Sequence, residues 1–297
     1  MKVLRVVCRD CALGVAQAHE LMEAIRSYDP NIVPELIKMT GKSDQYGEDA
    51  FFSAMETALE DGDADLCVHS LEEFSANMSA HLPLVALSER REARDVLVIA
   101  AGCSEPAFEK PLGAMGAARR LQLAKIYPGW RMEPACGEIE QLIERLDGGE
   151  FGALVLPEAD IALIGMQDRI HLAFSESQIV PAPGQGIVAV RGRAGERVGF
   201  LSRYHSVDSW YMFLAEHSFC EVFAGSEAER VATVRASVRE DKVLLSGVLI
   251  DGSGKLWNGS LGGKREDATQ LGTALATRLL LDAQGPQARK IVKISDN

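Results

Sequence analysis

Apolar positions recur along the chain in two rhythms that separate helices from strands. Residues 4–7 read as a short buried strand, and 11–28 then carry Leu13, Ala16, Leu21 and Ile25 at helical spacing. Residues 32–39 return to a strand pattern, 47–60 place Phe51, Met55 and Leu59 on one helical face, and 64–69 form an apolar strand. The order βαβαβ predicts a parallel sheet covered by helices. A second unit of the same kind follows: a β-rich run over 95–101, helices over 117–127 and 138–146, and a strand over 153–156. Residues 181–186, Pro-Ala-Pro-Gly-Gln-Gly, interrupt the rhythm and lead into an apolar strand at 187–191, so the chain is expected to cross back between the two units there.

From Ser206 the pattern changes to a helix over 210–222, strands over 231–238 and 243–250, a turn at 251–254 and a final helix over 268–282. The expected fold class is α/β, with two hinged lobes like those of periplasmic binding proteins and a smaller C-terminal α+β domain. The expected boundaries are 1–92 with 187–204 for the first lobe, 93–186 for the second and 205–297 for the third domain. A length of 297 residues suits two or three cores. Paired α/β lobes bind ligands at the carboxyl ends of their strands, which makes the cleft between the lobes the expected site.

Charge narrows the partners. A net charge of −12 and a pI near 5.1 oppose phosphate backbones and acidic membranes, so no nucleic acid and no membrane partner is expected. No apolar stretch approaches the roughly 20 residues of a spanning helix, and the start, Met1-Lys2-Val3-Leu4-Arg5, lacks the apolar core of a signal peptide. A cytoplasmic protein is expected. Six cysteines, at 8, 11, 67, 103, 136 and 220, are too sparse for a disulfide scaffold.

Several residues invite chemistry. Cys8 and Cys11 have C-x-x-C spacing at a strand-to-helix turn, where a helix N-terminus is expected to lower a thiol pKa; the plainer reading is buried strand and small filler. His69 lies in an apolar strand and reads as a core histidine. Glu72 and Glu73 read equally well as an acid pair in the cleft or as solvated carboxylates. Gly184-Gln185-Gly186 precedes a strand and lacks a phosphate-loop ending, so a hinge is expected. Glu133, Glu138, Glu140, Glu144 and Glu150 read as a charged helical face, without the histidines that would make a metal cluster.

Two ordered segments carry a more specific signal. Cys8-Arg9-Asp10-Cys11-Ala12-Leu13 with Ala16-Gln17-Ala18 resembles the T-R-x-S-x-L-A…Q-A opening of the hydroxymethylbilane synthase (porphobilinogen deaminase) family. Ala64-Asp65-Leu66-Cys67-Val68-His69-Ser70 resembles its A-D-I-A-V-H-S strand. Glu89-Arg90 with Arg94-Asp95, Arg119 with Gln122-Leu123, Leu146-Asp147-Gly148-Gly149-Glu150-Phe151 and Pro181 through Gly186 continue the resemblance in order. It implies condensation of four porphobilinogens, with loss of ammonia, on a dipyrromethane primer held by one cysteine of the third domain. Each pyrrole brings two carboxylates, so the cleft needs many Arg and Lys and one acid to protonate the leaving amine.

The chain departs from that pattern where the chemistry resides. Arg9 matches, but the family serine two positions on is Cys11. After Ser70 the family Met-Lys-Asp becomes Leu71-Glu72-Glu73, so Glu73 stands for the catalytic aspartate. A Gly-Lys-Gly-Leu-Phe run becomes Gly47-Glu48-Asp49-Ala50-Phe51, and a serine pair and an arginine become Met115, Gly116 and Ala118, leaving Arg119 and Arg120. Leu-Arg-Gly-Asn falls on Ala135-Cys136-Gly137-Glu138, and another arginine on Leu142. The anchoring Leu-Glu-Gly-Gly-Cys loop falls on Phe223-Ala224-Gly225-Ser226-Glu227, and no cysteine follows Cys220.

Three readings follow. The first is a family member that has lost ordinary porphobilinogen polymerisation and binds a small ligand, a pyrrole or tetrapyrrole, in the cleft. Arg9, Cys11, Ser70 and Arg119 then line the site and Glu73 is the candidate acid; no cofactor is predicted. The second is an active, unorthodox synthase using Glu73 and a primer held noncovalently or at Cys220. The third is a cysteine-based metal or haem protein using Cys11 and Cys136. The resemblance suggests a monomer.

Overall fold

The computed structural model describes residues 2–39, 47–73, 82–224 and 230–285, for 2, 47–52 and 73 the backbone alone. Strand β1 (Lys2–Arg9) leads into helix α1 (Ala12–Tyr28), strand β2 (Ile32–Met39), helix α2 (Gly47–Glu60), strand β3 (Leu66–Ser70) and strand β4 (Leu84–Leu87). Strand β5 (Asp95–Val98) opens the second unit, followed by β6 (Leu112–Ala114), α3 (Ala117–Ile126), β7 (Met132–Pro134), α4 (Ile139–Asp147), β8 (Ala153–Pro157), α5 (Glu158–Leu163) and β9 (Ile170–Ala173). The chain then returns as β10 (Val188–Arg191) and ends in α6 (Val207–Glu221), β11 (Val231–Arg239), β12 (Lys242–Ile250), β13 (Leu256–Lys264) and α7 (Ala268–Gln284).

These elements make two α/β lobes and a small third domain. The first sheet has the order β2-β1-β3-β10-β4 and the second β7-β6-β8-β5-β9. The expected parallel sheets prove to be mixed. In each lobe one strand runs against the rest, β10 in the first and β5 in the second. Both reversed strands directly follow a crossing from the other lobe, so each enters its sheet from the opposite end. The C-terminal sheet is antiparallel, β11-β12-β13, with one strand more than the sequence pattern predicts. Leu256 to Lys264 carries glycines that read as loop, yet a Cβ at Gly259 would press on Leu275 and Arg278 of α7. The glycine lets helix and strand close together.

The two crossings bind each other. Ser88 N–H donates to the Val188 carbonyl, Val188 N–H donates to Ser88 Oγ at 2.9 Å, and Arg91 N–H donates to the Gly186 carbonyl. Gly184 has a φ of +80°, and an added Cβ would meet the Leu71 carbonyl carbon at 2.9 Å, so the hinge turn requires glycine. The third domain docks on both lobes. Phe213 and Trp210 of α6 pack with Leu71, Leu84, Leu87 and Ile187 of the first, and Val248 and Ile250 of β12 pack with Leu121 and Val180 of the second.

One buried ion pair unites all three parts. Glu216 of α6, 1% exposed, receives a two-pronged bond from Arg90 of the first crossing at 2.7 Å per prong. The same carboxylate accepts from Gly184 N–H of the second crossing at 2.8 Å and from Ala236 N–H of β11 at 2.6 Å. Its lone pairs are satisfied, which is what makes a charge tolerable at that depth.

Candidate functional site

The carboxyl ends of β1 and β3 bring Arg9, Cys11, Ser70 and Glu72 to one edge of the first sheet, facing the second lobe. The carboxyl ends of β6, β7 and β8 bring up Arg119 on α3, Cys136 and Glu138 ahead of α4, and Asp160 on α5. The lobes meet closely there. Leu13 of α1, 9% exposed, is seated in the core of the second lobe with Ile139, Leu142 and Ile161, and Cys11 packs beside it. Between the lobes, Gln17, Ser70, Arg91, Asp160 and Gly186 enclose a cavity of about 10 Å³, room for one water. An open groove of about 610 Å³ lies farther along α1, lined by Glu20, Ser27, Ser88, Arg203 and Tyr204.

Arg9 donates from Nη1 to Glu138 Oε1 at 3.1 Å, a bond from lobe to lobe with side chains 20% and 31% exposed. Three residues on, Ala12 N–H at the start of α1 donates to Glu140 Oε1, while Glu140 Oε2 is buried with no hydrogen-bond partner. Glu138 and Glu140, expected only as part of a charged helical face, thus bond across to the first lobe. Glu138 occupies the N-cap position of α4 but makes no side-chain bond to its own helix; its carboxylate reaches across the cleft instead. Cys11 caps α1, its Sγ accepting from Gly14 N–H at 3.3 Å. The expected low thiol pKa is corrected here. Burial, outweighing the Gly14 N–H, pushes it up to about 12, with Glu138 and Glu140 adding to the rise.

Arg119 was expected to present an open cation to the cleft. It is enclosed instead, 8% exposed, donating to Asp95 Oδ2 at 2.9 Å, to the Met115 carbonyl at 2.7 Å and to Gln185 Oε1 at 2.9 Å. Burial acts to lower its pKa, but the Asp95 charge and hydrogen bond overcome it and hold the value above the ordinary range. Gln185 completes the knot by donating to the Ala93 carbonyl and Asp95 Oδ1. Sequence reasoning placed Asp95 and Gln185 in segments that carry the family resemblance, and Gln185 in a hinge, but gave neither a role at the site. A glutamine between two glycines in an apolar stretch is the signal that was available, since such an amide needs partners once buried.

Ser70 is buried and accepts from Gln17 Nε2 at 2.7 Å. His69, also buried, donates from Nδ1 to the Ser70 carbonyl at 2.9 Å, and burial takes its pKa down to about 4, consistent with a core role. Glu72 and Asp160 lie close enough to Arg119 to bias its charge. Cys136 is exposed, and its carbonyl accepts from Arg145 at 3.0 Å. Among the described residues no group of three or more His, Cys, Asp or Glu is placed to hold a metal. Cys220 is part-buried in α6 within the third-domain core, and burial, with Glu216 and Glu221 nearby, takes its thiol up to about 12. Ala224 is exposed just after α6. The side chains of Glu73, Glu48, Asp49, Ala50 and Phe51, and the loop residues Gly225, Ser226 and Glu227, lie outside the described residues.

The family model described as "Porphobilinogen deaminase, dipyromethane cofactor binding domain" matches residues 4–198, which include nearly all of both sheets. The chain belongs to the porphobilinogen deaminase family. Porphobilinogen deaminase of Acetivibrio thermocellus is 34% identical over 94% of this chain and 99% of its own length. Those of Alkaliphilus oremlandii and Ruminiclostridium josui are 35% and 33% identical over 93% and 94% of this chain, and over 96% and 98% of their own. Among solved structures, the BvgS VFT2 domain of Bordetella pertussis overlays at a TM-score of 0.44 with 14% identity, covering 68% of this chain and 84% of its own. Family membership points to a dipyrromethane cofactor. The described residues do not fit that group as they stand: Arg9 and the start of α1 hold carboxylates of this same chain, Arg119 is enclosed, and the part-buried Cys220 thiol is held protonated.

Proposed function

We propose that this porphobilinogen deaminase-like protein has lost ordinary porphobilinogen polymerisation and binds a small anionic ligand, a pyrrole or a short polypyrrole, in the interlobe cleft as a cytoplasmic monomer. One observation carries the reading: the cationic positions that the family resemblance assigns to pyrrole carboxylates are satisfied from within, Arg9 by Glu138 and Arg119 by Asp95 and Gln185. A charge-assisted bond of this kind is worth about 1.5–3 kcal/mol, so a substrate must first displace it. The second support is the Cys220 thiol, whose pKa near 12 leaves almost no thiolate at neutral pH to carry a primer.

The test is incubation of the purified protein with porphobilinogen, followed by oxidation and detection of uroporphyrin, alongside intact mass for a covalent dipyrromethane adduct. No product and the bare-chain mass are expected. Product with an adduct would overturn the reading and locate an anchor. The second reading, an active synthase with Glu73 as proton donor and a primer held noncovalently or at Cys220, draws its support from end-to-end similarity to proteins named porphobilinogen deaminase. Product without an adduct is the result that favours it.

A further inference from the structure

The start of α1 is gripped by the other lobe at consecutive points. Arg9 bonds Glu138, the Cys11 thiol faces the same carboxylate, Ala12 N–H bonds Glu140, and Leu13 sits in the second-lobe core. Both carboxylates ride on one short segment, the N-cap and first turn of α4, 129 and 128 positions away in sequence from the Arg9 and Ala12 that they bond. A partly exposed guanidinium and a helix start, each bonded to a carboxylate, are the contacts a ligand carrying two carboxylates would make. Here the protein supplies them itself.

We infer that Glu138 and Glu140 form a built-in latch, two carboxylates that stand in for those of a ligand, keep the lobes shut over α1, and are displaced when a dicarboxylate enters. Three features suit a contact made to open. The Arg9–Glu138 pair is partly exposed, so water can take up both charges as they part. Glu140 Oε2 is buried without a hydrogen-bond partner, so opening restores a bond that closure costs. Glu138 is not committed to capping α4. The closed state therefore gains little from these charges beyond exclusion of a competitor, while the packing of Leu13 sets the register in which they meet.

The inference rests on the cleft being a ligand site, but its test includes one arm that needs no ligand. Wild type, Glu138→Gln/Glu140→Gln and Arg9→Gln are compared by small-angle scattering. The glutamine pair keeps the size of both side chains at partly exposed positions, and circular dichroism and urea midpoints confirm that it folds. The expected result is a larger radius of gyration for both variants than for wild type. Porphobilinogen binding is then measured by calorimetry: the glutamine pair is expected to bind at least tenfold more tightly than wild type, and Arg9→Gln more weakly than the pair. An unchanged radius together with equal affinities in wild type and the pair would overturn the latch. Uroporphyrin formation by wild type would overturn the proposed loss of polymerisation and leave the latch standing, provided that the glutamine pair turns over faster; a slower pair would sink both.

Discussion

The hinge and the cleft mouth use the same chemistry to opposite ends. At the hinge, Arg90–Glu216 and Arg119–Asp95 are charges withdrawn from water, Glu216 accepting further hydrogen bonds from Gly184 and Ala236 and Arg119 donating others to Gln185 and Met115. At the mouth, Arg9–Glu138 keeps access to solvent; each region leaves one buried polar atom without a hydrogen bond, Arg90 Nε at the hinge and Glu140 Oε2 at the mouth, so exposure is what separates them. A buried pair adds little over an apolar pair but is costly to break, whereas an exposed one is cheap to make and cheap to lose. The hinge pairs therefore specify where the three parts sit, and the mouth pairs can change partners without unfolding anything.

The sharpest way to break this contrast is Glu216→Ala, which strands the buried Arg90 guanidinium and two backbone donors. A loss of about 3–5 kcal/mol is expected, read as a large fall in the urea midpoint. A loss no bigger than that of Glu138→Ala, for which less than about 1 kcal/mol is expected, would erase the distinction between hinge and mouth.

A pH series sharpens the buried side. His69 is neutral in the fold with a pKa near 4 against an unperturbed 6.5. Between those values the unfolded chain carries a proton that the folded chain does not, so stability is full above pH 6.5 and falls as the pH drops toward 4. The loss is on the order of 3 kcal/mol at the lower end. Urea midpoints at pH 7 and pH 5 should separate accordingly, and His69→Asn should flatten the slope; an equal slope in the variant would place the acid sensitivity elsewhere.

Smaller effects probe the mouth. Cys11→Ser puts a stronger acceptor at the N-cap of α1, with a gain of about 0.5–1 kcal/mol expected; a loss would mean that the thiol's packing beside Leu13 outweighs its capping bond. Thiol titration of the native protein should give two fast groups, Cys103 and Cys136, which are exposed, with buried Cys67 slow and Cys8, Cys11 and Cys220 slow because burial raises each thiol to about 11 or 12. A third fast thiol at Cys11 would mean that the mouth stands open in solution.

Much of the fold was legible because long elements repeat their pattern often enough to be read. The seventeen residues of α1 pass the helical period several times, and β1, β2 and β8 are rich in Val, Ile and Leu. Strands β6 and β7 have three residues each, too few to show an alternation, and β13 hides behind glycines that serve the approach of α7. The site was harder to read. Arg9 and Ser70 could be placed at the cleft edge from the order of motifs, but nothing local reveals that Glu138 faces Arg9 across 129 positions, or that Asp95 and Gln185 claim Arg119. Charges on a helix start look solvated until the partner lobe is in place.

The position of β10 also sets an order of events during synthesis. Every strand of the second sheet lies between Asp95 and Ala173, so that sheet can close as soon as this stretch has left the ribosome. The first sheet cannot, because β4 is joined to β3 through β10, and Leu87 must wait for Ala189. The lobe that begins the chain is thus completed after the one that interrupts it, and a nascent chain that has emerged only as far as Ala173 would carry one closed sheet beside one with an open edge on β3.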